Sequence, residues 1–160
     1  MKWVTWEGVG VDRMACAWLL RRSVDPAAEF LFVPAGHTPL PAGAEPFDIP
    51  GTRLAHHGGH CSFHTLLAVY DIADPVLHHI ARLVDEADVV QEVALEPAAP
   101  GLDLLCRGLR LISPDDATAL ERGMVLYDAL YAACQDTDGV ADPAPSGVPP
   151  AEQHSPVGGR

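Results

Sequence analysis

Nine consecutive residues, His56-His57-Gly58-Gly59-His60-Cys61-Ser62-Phe63-His64, hold four of the chain's eight histidines and one of its four cysteines. Core packing gives no reason for that density. Imidazole and thiolate are the side chains that bind borderline transition metals near neutral pH. The paired glycines let the backbone turn tightly between donors. The segment lies where an extended stretch, Thr52 to Ala55, gives way to a helical pattern opening at Ser62. Junctions of this kind commonly carry function on loops held by a rigid scaffold. The competing explanation is a polar strand-to-helix turn with solvated imidazoles.

Two carboxylates sit where a helix should be apolar. At about 100° per residue, Leu77, Ile80, Ala81 and Val84 share one stripe, and Asp88 falls at its middle. A carboxylate facing a core is costly unless paired, hydrogen-bonded or bound to a metal. Asp12 likewise shares a face with Ala15, Cys16 and Leu19, although an aspartate there also serves as an N-cap. The candidate metal ligands are therefore His56, His57, Asp88 and Asp12. Cys61, close to several imidazoles, and Cys16 are candidate thiols for redox chemistry or ligation. Arg13, beside Asp12, is a candidate for holding an oxyanion. His37, His78 and His79 read as solvated. Cys106 and Cys134 read as buried structural thiols. Tyr127 and Tyr131 belong to a core stripe with Leu120 and Met124, and their hydroxyls need partners, for which Asp128 is available.

The elements that must position these residues are legible in outline. Lys2 to Glu7 alternates and reads as a strand, Asp12 to Val24 as a helix, and Glu29 to Val33 as a buried strand, which together make a βαβ unit. Pro34 to Pro46, with four prolines and two glycines, reads as loop. Phe47 to Ile49 and Thr52 to Ala55 are short strand candidates. The second half is helical: Ser62 to Tyr70, Asp74-Pro75 to about Val90, Gly101 to Ile112, and a helix to about Cys134 opened by Ser113-Pro114-Asp115-Asp116. The expected architecture is α/β, a small mixed sheet from the N-terminal half packed with a helical C-terminal half. The ordered domain is expected to span residues 1–135. Residues 136–160 contain five prolines, four glycines and almost no large apolar side chain, and read as a disordered acidic tail.

Composition narrows the function. The 160 residues suffice for one core without metal or disulfide staples, and 48% apolar with 20% charged content is ordinary for a soluble domain. No apolar run approaches the roughly 20 residues of a membrane helix. The short, alternating N-terminus is no signal peptide. A cytoplasmic protein without membrane partners is expected. Net charge is −12, with ten basic residues, Lys2 being the single lysine, against 22 acidic ones. Phosphate-backbone binding needs clustered cations, so nucleic acid is not an expected partner. At long range such a chain attracts cations and repels anions.

Longer stretches resemble a known family. Lys2-Trp3-Val4-Thr5, the run Val11-Asp12-Arg13-Met14-Ala15-Cys16-Ala17-Trp18-Leu19-Leu20-Arg21-Arg22, and Phe30-Leu31-Phe32-Val33-Pro34 resemble the chromate resistance domain. The resemblance continues through Pro46-Phe47-Asp48-Ile49-Pro50-Gly51, His56-His57-Gly58, Cys61-Ser62-Phe63, Ala87-Asp88 and Gly123-Met124-Val125-Leu126-Tyr127-Asp128-Ala129-Leu130-Tyr131. It covers roughly residues 2 to 134, with Ala17 standing where that pattern usually has proline. The resemblance implies a bacterial protein tied to chromate resistance, without a settled biochemical activity. The family's domain also forms the C-terminal part of chromate-responsive regulators. A stand-alone version of the domain, without the N-terminal regulatory portion, is expected, and direct transcriptional control by so acidic a chain is not.

Three mechanisms follow. In the first, His56, His57, Asp12 and Asp88 hold one divalent zinc or manganese ion with an open position for water, whose pKa the metal lowers. Ala55 stands where DHH-type phosphoesterases carry an aspartate, which argues for a mononuclear site. In the second, Cys16 and Cys61 join the histidines in a module that senses metal, chromate or another small anion. In the third, the ligands merely tie sheet to helices, as a closed site would.

Overall fold

The computed structural model describes residues 1–89 and 95–139. Its sheet has three strands in the order β2-β1-β3, where β1 is Lys2–Trp6, β2 is Glu29–Val33 and β3 is Ala44–Pro46. Both pairings are parallel, Lys2 lying opposite Glu29 on one side and Ala44 on the other. The sheet is thus parallel rather than mixed, and β1 is central. That explains why Trp3, Val4 and Thr5 are all buried on successive positions: a central parallel strand is covered on both faces.

Helix α1 (Val11–Leu19) connects β1 to β2 and completes the expected βαβ unit. It is the axis of the molecule. All of its residues except Arg13 are buried, and it packs against α2 (Ser62–Val69), α3 (Pro75–Asp88), α4 (Ala99–Leu111) and α5 (Asp116–Gly139). A Cβ on Gly123 of α5 would lie 3.0–3.2 Å from the Met14 side chain, so a larger residue at this close crossing would have to push Met14 aside by a few tenths of an ångström. After Leu19 the helix widens into a π turn, Leu20–Val24, closed by a bond from Asp25 N to Leu20 O at 2.7 Å.

Several local expectations are corrected. β3 falls inside the proline-rich stretch expected to be loop; as an edge strand it tolerates Pro46. The proposed strands Phe47 to Ile49 and Thr52 to Ala55 reduce to one bridge between Phe47 and Leu54, because Pro50-Gly51 turns the chain between them. Asp12 does not cap its own helix; the N-cap is Gly10, without a side-chain bond. Asp128 accepts the Trp18 indole N–H at 2.8 Å, while the Tyr127 and Tyr131 hydroxyls donate to Val11 O (2.8 Å) and Asp74 Oδ2 (2.7 Å). The last helix runs through Gly139, past Cys134; most of the expected tail, residues 140–160, lies outside the described residues. Among the described residues, no helix is long and apolar enough to cross a membrane.

From β1 the chain crosses by α1 to one neighbour and later reaches the other, so the connection reverses direction at the C-terminal ends of β1 and β3. In open parallel sheets ligands bind in the crevice at such a point. The loop after β1 is fixed there by Asp116 of α5, which accepts the N–H groups of Gly8 and Val9, both at 2.9 Å.

Candidate functional site

That crevice is a cavity of about 560 Å³, with Trp6 at the end of β1, Gly8 and Gly10 following it, Asp48 following β3, and Asp12, His56 and Asp88 among its walls. Asp12 is buried on its floor. Its Oδ2 accepts from Ser62 N at 2.7 Å and its Oδ1 from Phe63 N at 2.9 Å, with the Cys16 thiol at 3.4 Å. A carboxylate from α1 therefore caps α2, where the helix dipole favours an anion. Asp48 sits in the left-handed region, φ 48°, which aspartate tolerates. The turn aims its carboxylate at Ser62 Oγ (2.6 Å) and Arg13 Nε (2.9 Å).

His56 is the hub. Its Nε2 lies 3.1 Å from Asp12 Oδ2, 3.4 Å from Asp48 Oδ1 and 3.3 Å from Asp88 Oδ2. Asp88 closes the mouth from the end of α3, its side chain 30% exposed. Hydrogen bonds to Asp12 and then Asp48 outweigh burial and push the His56 imidazole up to about 10. Burial, then the charges of Asp12 and Asp48, push Asp88 up to about 6. Burial dominates Asp48 too, and with the charge of Asp12 raises it. Asp12 is driven upward by burial, but the bonds from His56, Phe63 N and Ser62 N prevail and hold it below the ordinary value.

A second cluster lies on the other side of the same helix start. Asp85, buried on α3, accepts from Cys61 N at 2.6 Å and faces His60 Nδ1 at 2.7 Å. The rings of His60 and His64 stack, with centroids 4.2 Å apart and planes at 14°. Burial and the neighbouring His60 lower the pKa of His64.

The structure brings Asp12, His56 and Asp88 together and leaves His57 out. His60 N donates to His57 O at 3.0 Å across Gly58 and Gly59, whose φ values of 61° and 84° make a tight turn of the I′ kind. His57 faces away, its Nε2 3.3 Å from Arg53 O. Arg13 lines the cavity, its Nε 2.9 Å from Asp48 Oδ2 and its Nη1 donating to the carbonyls of Glu7 (3.4 Å) and Gly8 (3.3 Å). Cys16 and Cys61 are buried, and burial followed by the charge of Asp12 raises both thiols. Thiolate chemistry requires the opposite shift. His37 and His78 are exposed and His79 half-buried; Cys106 and Cys134 are buried.

Sequence reasoning passed over Asp48 and Asp85. Asp85 follows Ala81 by four residues and Leu77 by eight, which places it at the border of the α3 stripe. Asp48 stands between the buried Phe47 and Ile49, the kind of position where a carboxylate needs a partner.

A parallel α/β domain with histidine and carboxylates gathered at its strand ends is thus the class that fold and site define. Residues 3–134 match the family described as ChrB, C-terminal domain, and the chain belongs to that family. Over 131 residues it is 34% identical to Protein ChrB of Cupriavidus metallidurans, covering 81% of this chain and 40% of that protein's length. The chromate-resistance family expected from the motifs is therefore the right one. No solved structure matches the chain.

Proposed function

We propose that this domain is a divalent-metal-binding protein whose ion is held by Asp12, Asp48 and His56, with Asp88 at the mouth, in an open mononuclear site. The observation that carries this reading is the convergence of three carboxylate oxygens within 3.4 Å of one imidazole nitrogen. A single N–H donates well to one acceptor at a time. Three carboxylates around it make a place suited to a cation, and the proton on His56 is the poorest cation that balances them. Arg13 is spent on Asp48, so its charge does not fill that place.

The donors are mainly carboxylate oxygen with one imidazole nitrogen and no reachable thiolate. Such a set suits manganese and also accepts zinc. A bound ion of either kind lowers the pKa of a coordinated water and polarises a ligand's oxygen. The chain's own residues set the rest. Asp12 is locked by two backbone N–H groups of α2, Asp48 by Arg13 and Ser62, so two ligands are held before any ion arrives. Preset ligands of this kind define a site more sharply than loop residues free to rotate. The cavity of about 560 Å³ leaves room beside the ion for a small molecule, which a closed structural site does not have. With three carboxylates and one arginine, the metal-free site attracts cations; chromate or another small oxyanion would enter as a ligand of the metal. The buried, protonated thiols do not support the alternative in which Cys16 and Cys61 reduce or ligate chromium.

The test is elemental analysis of untagged protein, purified without chelator, beside His56→Ala and Asp48→Asn. Retained manganese or zinc in the parent, reduced by about one equivalent in both variants, is expected. A metal content identical in parent and variants refutes the reading.

A further inference from the structure

The cluster on the far side of α2 remains without a role in that reading. We propose that His60, His64 and Asp85 form a second, independent, solvent-facing site for a divalent transition metal of the zinc class. One ligand atom from each of the three residues lies within 4.8 Å of the others. Ligands about 2.0–2.2 Å from a zinc ion stand roughly 3.3–3.6 Å from one another in tetrahedral geometry. The 2.7 Å between His60 Nδ1 and Asp85 Oδ2 must therefore open slightly. The His60 side chain is 51% exposed and can make that adjustment without disturbing the core.

Three features make the cluster more than a chance meeting of polar side chains. The two imidazoles are four residues apart, and the start of α2 holds them stacked on one side. The third donor is fixed in advance, because Asp85 is 7% exposed and its other oxygen is bound to Cys61 N. The turn through Gly58 and Gly59 returns the chain so that His60 stands directly before the helix. Two imidazoles and one carboxylate are a donor set that leaves positions free for water or a ligand, and nitrogen-rich donors favour zinc, nickel or copper over manganese. The two sites share no ligand. Asp12 caps Ser62 and Phe63 of α2, whereas Asp85 caps Cys61, so each ion would be held at the same helix start by its own carboxylate.

The test is titration of metal-free, full-length protein with zinc chloride, followed by calorimetry, for the parent and for His56→Ala, His64→Ala and His60→Gln. Two equivalents in the parent and one in every variant are expected, with the remaining equivalent in His56→Ala abolished by adding His64→Ala. One equivalent in the parent, lost with His56→Ala and untouched by His60→Gln and His64→Ala, would overturn the second site and leave the first standing. One equivalent lost only with His60→Gln and His64→Ala would overturn the first and keep the second. His60→Gln, at an exposed side chain, guards against a folding defect in His64→Ala; circular dichroism of each variant checks it.

Discussion

The two clusters that flank the first turn of α2 use the same residue types and differ in what surrounds them. The inner one is rich in carboxylate, lies at the floor of a cavity, and surrounds its histidine with Asp12, Asp48 and Asp88. The outer one has two histidines for one carboxylate, and His60 is half in solvent. The difference teaches that environment, more than residue type, separates their chemistry. Inside, hydrogen bonds to Asp12 and Asp48 push His56 up to about 10, so it carries a proton at neutral pH. Outside, burial lowers His64, which leaves it neutral there. The inner site must exchange a proton for a metal at neutral pH, whereas His64 of the outer site carries none to give up.

The largest effect that can break this comparison is on stability. Asp12→Ala strips the acceptor from two buried backbone donors, Ser62 N and Phe63 N. Each unsatisfied donor costs about 1–3 kcal/mol, so a loss of about 3 kcal/mol or more is expected in urea denaturation. Asp85→Ala orphans one buried backbone donor, Cys61 N, besides freeing the exposed His60, and should cost about 1–3 kcal/mol. A larger loss for Asp85→Ala would show that the outer carboxylate carries the helix.

Proton exchange is the next. Binding at the inner site should release about one proton near pH 7.5, and affinity should rise about tenfold per pH unit until His56 deprotonates at about 10. Calorimetry in two buffers of different ionisation enthalpy measures this, and His56→Ala should remove the release. Without metal, the signs follow from the same shifts. The His56 contribution to stability is complete below its unfolded value of about 6.5 and is lost as pH rises through about 10. The Asp88 contribution is complete below 3.8 and is lost as pH rises through about 6. Asp12, held low, contributes above 3.8 and loses its contribution as pH falls through its folded value. A bound ion should suppress the alkaline loss.

A smaller effect sharpens the outer half alone. Gly59 has φ 84°, where an L side chain is strained, so Gly59→Ala should cost about 1 kcal/mol and displace His60. Zinc binding at the outer site should weaken while the inner site keeps its stoichiometry.

How much of this was legible in the sequence depends on whether a residue's role is local. The βαβ unit and the capped helices were readable because alternation, period and Asp-Pro signals act over a few residues. β3 was hidden by Pro46 and the prolines that precede it, and an edge strand accepts the one it contains. Asp12 was visible as a carboxylate on an apolar face, but its partners on α2 are 50 and 51 positions away. His56 and His57 are neighbours of identical type, and only the turn at Gly58-Gly59 decides which one faces the carboxylates. Asp48, a carboxylate between Phe47 and Ile49, carried a local signal of burial, but its left-handed backbone and its partners Arg13 and Ser62 needed the fold to be seen.

The smallest expected effect concerns the thiols, which lie between the two clusters and belong to neither. Cys16 points at Asp12, and Cys61 is the residue whose N–H binds Asp85. Both are buried beside carboxylates, and burial together with those negative charges holds their protons on. A thiol in that state is a poor nucleophile and a poor reductant. Iodoacetamide labelling of both at pH 7.5 should therefore follow global unfolding, and metal at either site should slow it only as far as it stabilises the fold. Cys16→Ala should leave both metal stoichiometries unchanged, since the thiol only donates to an oxygen that Phe63 N already binds. Rapid labelling of Cys61 in the native protein would reverse the assignment. The histidines around it would then be acting on a thiolate, and the two clusters would be halves of one thiol site.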